Sequence, residues 1–100
     1  MGYRVGKSGI SVDKRREILA EVFTSHLPFV DSTEYMKKWG QPNSIERLKK
    51  LADSIATFFW REQQHEHFDA ATDYEHDLNW LEGKFYRGRF RFQWPKARIV

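Results

Sequence analysis

The sequence predicts a mainly α fold: a small bundle of three longer helices plus one short helix, with a minor β element at the two termini. Three observations carry this. Two long stretches repeat apolar residues at steps of three and four. Helix-capping residues and helix-ending Gly or Pro stand where those stretches should begin and stop. The last stretch then switches to strict alternation, the period of a strand with one buried face. The chain has 100 residues, which fits one domain over residues 1–100, because two cores of half that size would be unstable alone. Aromatic residues make up 16%, as eight Phe, four Tyr and four Trp, so the core should be built on large flat rings. That content argues against disorder, despite 31% charged residues.

Taken in order, residues 1–11 hold Gly2, Gly6 and Gly9 and the short alternation Tyr3, Val5. They suggest a loop or a short edge strand. A first helix should start at Ser11 or Asp13 and carry the stripe Ile18, Leu19, Val22, Phe23, Leu27. Pro28 disfavours helical geometry at the residue before it, so this helix should end near Ser25 or His26. Asp31 and Glu34 have the form of a capping box that opens a short helix through Tyr35, Met36 and Trp39, closed by Gly40 and Pro42. The third helix, capped by Asn43 or Ser44, repeats Ile45, Leu48, Ala52, Ile55 and Phe59. The fourth starts at Asp69 and repeats Ala71, Tyr74, Leu78, Leu81 and Phe85. A short polar connector joins these two matched stripes, which predicts an antiparallel pair packed face to face. After Gly88, Phe90, Phe92 and Trp94 alternate with Arg89, Arg91 and Gln93, and Pro95 ends the run or confines it to an edge.

Charge is sorted into blocks. Residues 62–83 hold seven acids (Glu62, Glu66, Asp69, Asp73, Glu75, Asp77, Glu82) and no Lys or Arg. Residues 84–100 hold six cations (Lys84, Arg87, Arg89, Arg91, Lys96, Arg98) and no acid. Such asymmetry gives a polarised surface able to steer a charged partner. In the basic segment, rings and cations interleave. Single-stranded nucleic acid is held by that pairing of chemistries, cations along the phosphates and flat rings beneath the bases. Arg also makes planar bidentate contacts to carboxylates, so an acidic protein surface fits equally well. The binding residues expected are Lys84, Arg87, Arg89, Arg91, Trp94, Lys96 and Arg98, with Trp94 as the stacking ring. The competing view buries Phe90, Phe92 and Trp94 and leaves the arginines solvated on an edge strand.

Other features point to weaker chemistry. His65 and His67, with a carboxylate of the fourth helix, form a remote candidate for zinc; the segment lacks the second His that the HxHxD pattern of binuclear metallohydrolases continues with. Gly6-Lys7-Ser8 lacks the glycine spacing of a phosphate loop. Lys14-Arg15-Arg16 opposes the dipole of the first helix and is expected to be a solvated face with Glu21 pairing. No GxSxG or HExxH motif occurs, and Asp73 and Asp77 share a helix face without an apolar cleft to set their acidity. The expectation is a non-enzymatic interaction module without a cofactor. Its different-class alternative is self-association, the acidic block of one copy against the basic block of another. The absence of cysteine excludes disulfides and thiolate chemistry and suggests a reducing, cytoplasmic setting. No apolar run has the length of a membrane span, and the opening residues lack a signal peptide's apolar stretch. The stretch Tyr35–Leu51, with Trp39-Gly40, Pro42 and Arg47-Leu48, resembles small bacterial or phage accessory proteins in texture; it points to no named family and carries no catalytic residue.

Overall fold

The computed structural model describes residues 3–25 and 39–97. Among these residues three α-helices make the body: α1 (Val12–Thr24), α2 (Ile45–Gln64) and α3 (Phe68–Leu81). A π-helical turn, Glu82–Tyr86, prolongs α3. The short helix expected after Asp31 lies outside the described residues apart from Trp39, as does Arg98 of the basic segment.

Local signals set the helix ends. The Ser11 hydroxyl accepts the Lys14 N–H at 3.3 Å and the Ser44 hydroxyl accepts the Arg47 N–H at 3.1 Å, each satisfying a donor that a helix start leaves orphaned. α1 stops at Thr24, where Ser25 turns extended. Helix α3 begins one residue before the expected Asp69 and has no side-chain cap; Asp69 in its first turn instead complements the helix dipole.

The two matched stripes meet as predicted. Leu48, Ala52, Ile55 and Phe59 of α2 are buried against Ala71, Leu78 and Leu81 of α3, with Leu19 and Phe23 of α1 closing the core. Phe85 extends the stripe through the π-helical turn, its ring 4.6 Å from that of Phe23. Ile45 is the exception, exposed in the first turn of α2.

Two buried arginines overturn a simple apolar core. Arg47 is fully buried. Its Nε donates to the Trp39 carbonyl at 3.1 Å and its Nη2 to that of Gly40 at 2.8 Å, while Nη1 reaches the Val22 and Ser25 carbonyls at 2.6 and 2.8 Å. It thereby collects carbonyls that the end of α1 leaves unpaired. Gly40 makes the approach feasible: its φ is +70°, and an added Cβ would lie 2.7 Å from Cβ of Glu46. Arg15 is the second. The expected solvated face fails there, because Arg15 is buried and bonded to Asp77 of α3. Of its neighbours, Lys14 is exposed and pairs with Glu17 at 3.6 Å rather than with Glu21, whereas Arg16 is half-buried over the Trp80 ring at 5.6 Å.

The expected terminal β element is absent among the described residues, which contain no strand. Residues 3–10 form turns held to α3, and residues 87–97 turn at 87–89 and then run on without a ladder partner. The N-terminal turns are fixed by side chains instead. Gly6 N–H donates to Asp73 Oδ2 at 2.8 Å, the Tyr3 hydroxyl to Asp77 Oδ2 at 2.6 Å, and Lys7 lies 3.7 Å from Asp69. Asp69, Asp73 and Asp77 recur every four residues, so one face of α3 presents all three.

Candidate functional site

The basic segment is a strap laid over the helices. Gly88, at φ +78° with open space around it, turns the chain out of the π-helical turn. From there the alternation acts as a sorting of faces. Phe90, Phe92 and Trp94 are half-buried and pack against the core, while Arg89, Arg91 and Gln93 are exposed. Phe90 meets Phe23 edge-on at 6.3 Å. Tyr86, Phe92 and Trp94 make a ring cluster, with Tyr86 4.9 Å from Phe92 and 4.8 Å from Trp94. The Tyr86 hydroxyl donates to the Phe92 carbonyl within it. Aromatic pairs at such separations contribute roughly 0.5–1.5 kcal/mol each beyond their buried area, enough to hold a segment that has no ladder hydrogen bonds.

Six of the seven residues expected at the site can therefore be placed. Lys84, Arg87, Arg89, Arg91 and Lys96 are all exposed. Arg87 leans on Glu82 at 3.6 Å with most of its side chain in solvent, a pairing of little strength. Among the described residues no ion pair engages Lys84, Arg89, Arg91 or Lys96. Trp94 departs from its expected role, since its ring belongs to the inward cluster and its indole N–H is buried without an acceptor among the described residues. It forms one wall of a 510 Å³ groove shared with Glu75, Asn79, Glu82 and Lys96.

Sequence reasoning missed Trp60. It follows the core residue Phe59 on α2 and is 46% exposed, and its indole N–H donates to the Lys96 carbonyl at 3.0 Å. The signal was its position one residue off the buried stripe, which turns it outward. Its contact with the strap spans 36 residues of sequence and had no such signal.

The acidic block divides differently from the basic one. Asp69, Asp73 and Asp77 face the chain's own N-terminal residues and Arg15. Burial works against the Arg15 charge, but hydrogen bonds to Asp77 and the charges of Asp77 and Asp73 outweigh it and raise its basicity. Glu62 accepts from His67 at 2.7 Å. That hydrogen bond, partly opposed by burial, holds its carboxyl below the ordinary value. His65 and His67 stack with ring centroids 6.1 Å apart, and no cluster of three His, Asp or Glu able to hold a metal forms among the described residues. No described helix is long and apolar enough to cross a membrane. No protein-family model matches this chain, and no curated protein or solved structure matches it either.

Proposed function

We propose that the protein is a non-enzymatic binding module whose C-terminal strap engages a polyanionic surface, that of nucleic acid or of an acidic protein. One observation carries the proposal: the rings of residues 86–94 anchor the strap inward, while Arg89, Arg91 and Lys96 stand in solvent without an ion-pair partner among the described residues. Anchoring matters because a pre-ordered row of cations loses less conformational entropy on binding than a loose tail would. Lys84 and Arg87 extend the row toward the π-helical turn.

Self-association through complementary blocks is less well supported. Much of the acidic block already serves the chain's own N-terminal residues and Arg15, which leaves less charge for a second copy.

The test is binding of labelled nucleic acid and of poly-L-glutamate, followed by fluorescence anisotropy at rising salt. Binding that neutralises three to five phosphates should weaken with a log–log slope of roughly −3 to −5 on duplex DNA. Absence of binding to every polyanion at low salt would contradict the proposal.

A further inference from the structure

We propose that the polyanion is a single strand of nucleic acid, and that Trp60 is the ring on which one of its bases stacks. The inference rests on the binding role of the strap and names its partner. Stacking needs a flat ring with an open face, close to cations and held rigidly. The rings of the strap itself do not qualify, because Phe90, Phe92 and Trp94 pack inward. Trp60 meets all three conditions.

Trp60 is 46% exposed as a residue. Its polar edge is already satisfied by the Lys96 carbonyl at 3.0 Å, so ring surface rather than an open donor meets the solvent. Phe59 supports it in a T-shaped contact, with centroids 5.0 Å apart and planes at 87°. The hydrogen bond places the ring beside exposed Lys96, and the five peptide steps from Arg91 to Lys96 can span no more than about 18 Å. Base and phosphates of one strand can therefore reach Trp60 and the strap cations together.

Charge separates Trp60 from the other exposed ring. Phe68 is 50% exposed, but it lines a hollow in which Glu62, Glu66 and Asp69 outnumber Lys7, already paired with Asp69, and His67, already bonded to Glu62, so the hollow offers a phosphate chain no unpaired cation among the described residues. A duplex is disfavoured as the partner because its base faces are already stacked, whereas an unpaired strand offers them.

The test compares an oligothymidylate of about 20 nucleotides, longer than the roughly 4–16 that a single-strand site covers, with a duplex of equal length and with poly-L-glutamate. Trp60→Leu should weaken the single strand on the order of 10-fold and leave the duplex within about twofold, from the usual size of a base–aromatic stack. Trp60→Phe, which keeps a ring and loses only the N–H, should retain most of the single-strand affinity. A second readout does not depend on how well Trp60→Leu folds: the strand should quench indole emission in the wild type, and Trp60→Phe should remove that quench. Undiminished single-strand binding by Trp60→Leu, or a quench that survives in Trp60→Phe, overturns the role of Trp60 and leaves the strap's role intact. Binding of poly-L-glutamate without either nucleic acid overturns the nucleic-acid partner and keeps the strap as a protein-binding element. If no polyanion binds at low salt, both proposals fall.

Discussion

Arg15 of α1 and Asp77 of α3 meet inside the protein in a two-pronged ion pair, Nε to Oδ2 at 2.8 Å and Nη2 to Oδ1 at 3.3 Å. Both side chains are buried, and the same carboxylate accepts the Tyr3 hydroxyl. One acid thus joins α1, α3 and the N-terminal turns. Removing Asp77 leaves the buried Arg15 with only the longer contact to Asp73, at 3.7 Å, and breaking a buried pair costs about 3–5 kcal/mol. Asp77→Ala should therefore lower the Tm by more than about 10 °C, given roughly 4–8 °C per kcal/mol for a domain of this size. The double variant Arg15→Met with Asp77→Leu should recover most of the loss, since an apolar pair of similar volume often replaces a buried ion pair without penalty. Thermal melts of the two single variants and the double one, as a cycle, measure the coupling.

Tyr3 makes the same junction sensitive to alkali. Burial, and then the charge of Asp77, push its phenol above the ordinary value. Below about pH 10 the folded and unfolded chains both keep that proton, and stability does not depend on it. Above about pH 10 the unfolded chain ionises first, so stability falls by up to about 1.4 kcal/mol per pH unit. Urea midpoints measured between about pH 8 and 11 should drop along this course. Tyr3→Phe should flatten the drop, and Tyr74, also raised by burial, should account for part of the slope that is left.

Gly40 is predicted to resist substitution. A left-handed φ costs an L-residue roughly 1–2 kcal/mol, and an added Cβ would sit 2.7 Å from Glu46 Cβ and 2.9 Å from Ser44 Oγ. Gly40→Ala should destabilise by at least that amount, and by more if the Gly40 carbonyl shifts away from Arg47. Chemical denaturation reads this directly. At Gly88, where nothing crowds the added Cβ, the same change should cost only the backbone term.

Trp94 separates packing from hydrogen bonding. Its indole N–H has no acceptor among the described residues, so Trp94→Phe should cost only the packing lost to the smaller ring, about 1–2 kcal/mol. Trp94→Ala removes its ring contacts with Tyr86 and Phe92 and should cost about 3 kcal/mol or more. Equal losses in the two variants, measured by urea denaturation, would mean that the N–H has a partner after all.

The helices were legible because their signals are local. Ser44, Leu48, Ala52, Ile55 and Phe59 announce α2 through a cap and a spacing that need no knowledge of the rest of the chain. The buried Arg15 and Arg47 were not legible, since hydropathy assigns a cation to the surface unless its partner is known. Asp77 lies 62 residues from Arg15. The strap was half legible: alternation separated its two faces, although Trp94 had been expected as a stacking ring, but a strand also needs a neighbouring chain, and the π-helical turn supplies only the Tyr86 carbonyl at the strap's start and side-chain contacts beyond it. For the same reason the exposed cations of the candidate site were legible in the sequence as exposed residues, whereas the exposed ring beside them was not.

The most direct test of the strap as a binding element is the triple variant Arg87→Ala, Arg89→Ala, Arg91→Ala, titrated beside the wild type against the same labelled polyanions at roughly 50 mM salt. These side chains are exposed and the ring cluster beneath them is untouched, so the Tm should change by only a few degrees. Affinity should fall at least tenfold, with the salt slope shallower by about one for each arginine that had neutralised a phosphate. Wild-type affinity in a folded triple variant would contradict the strap's binding role.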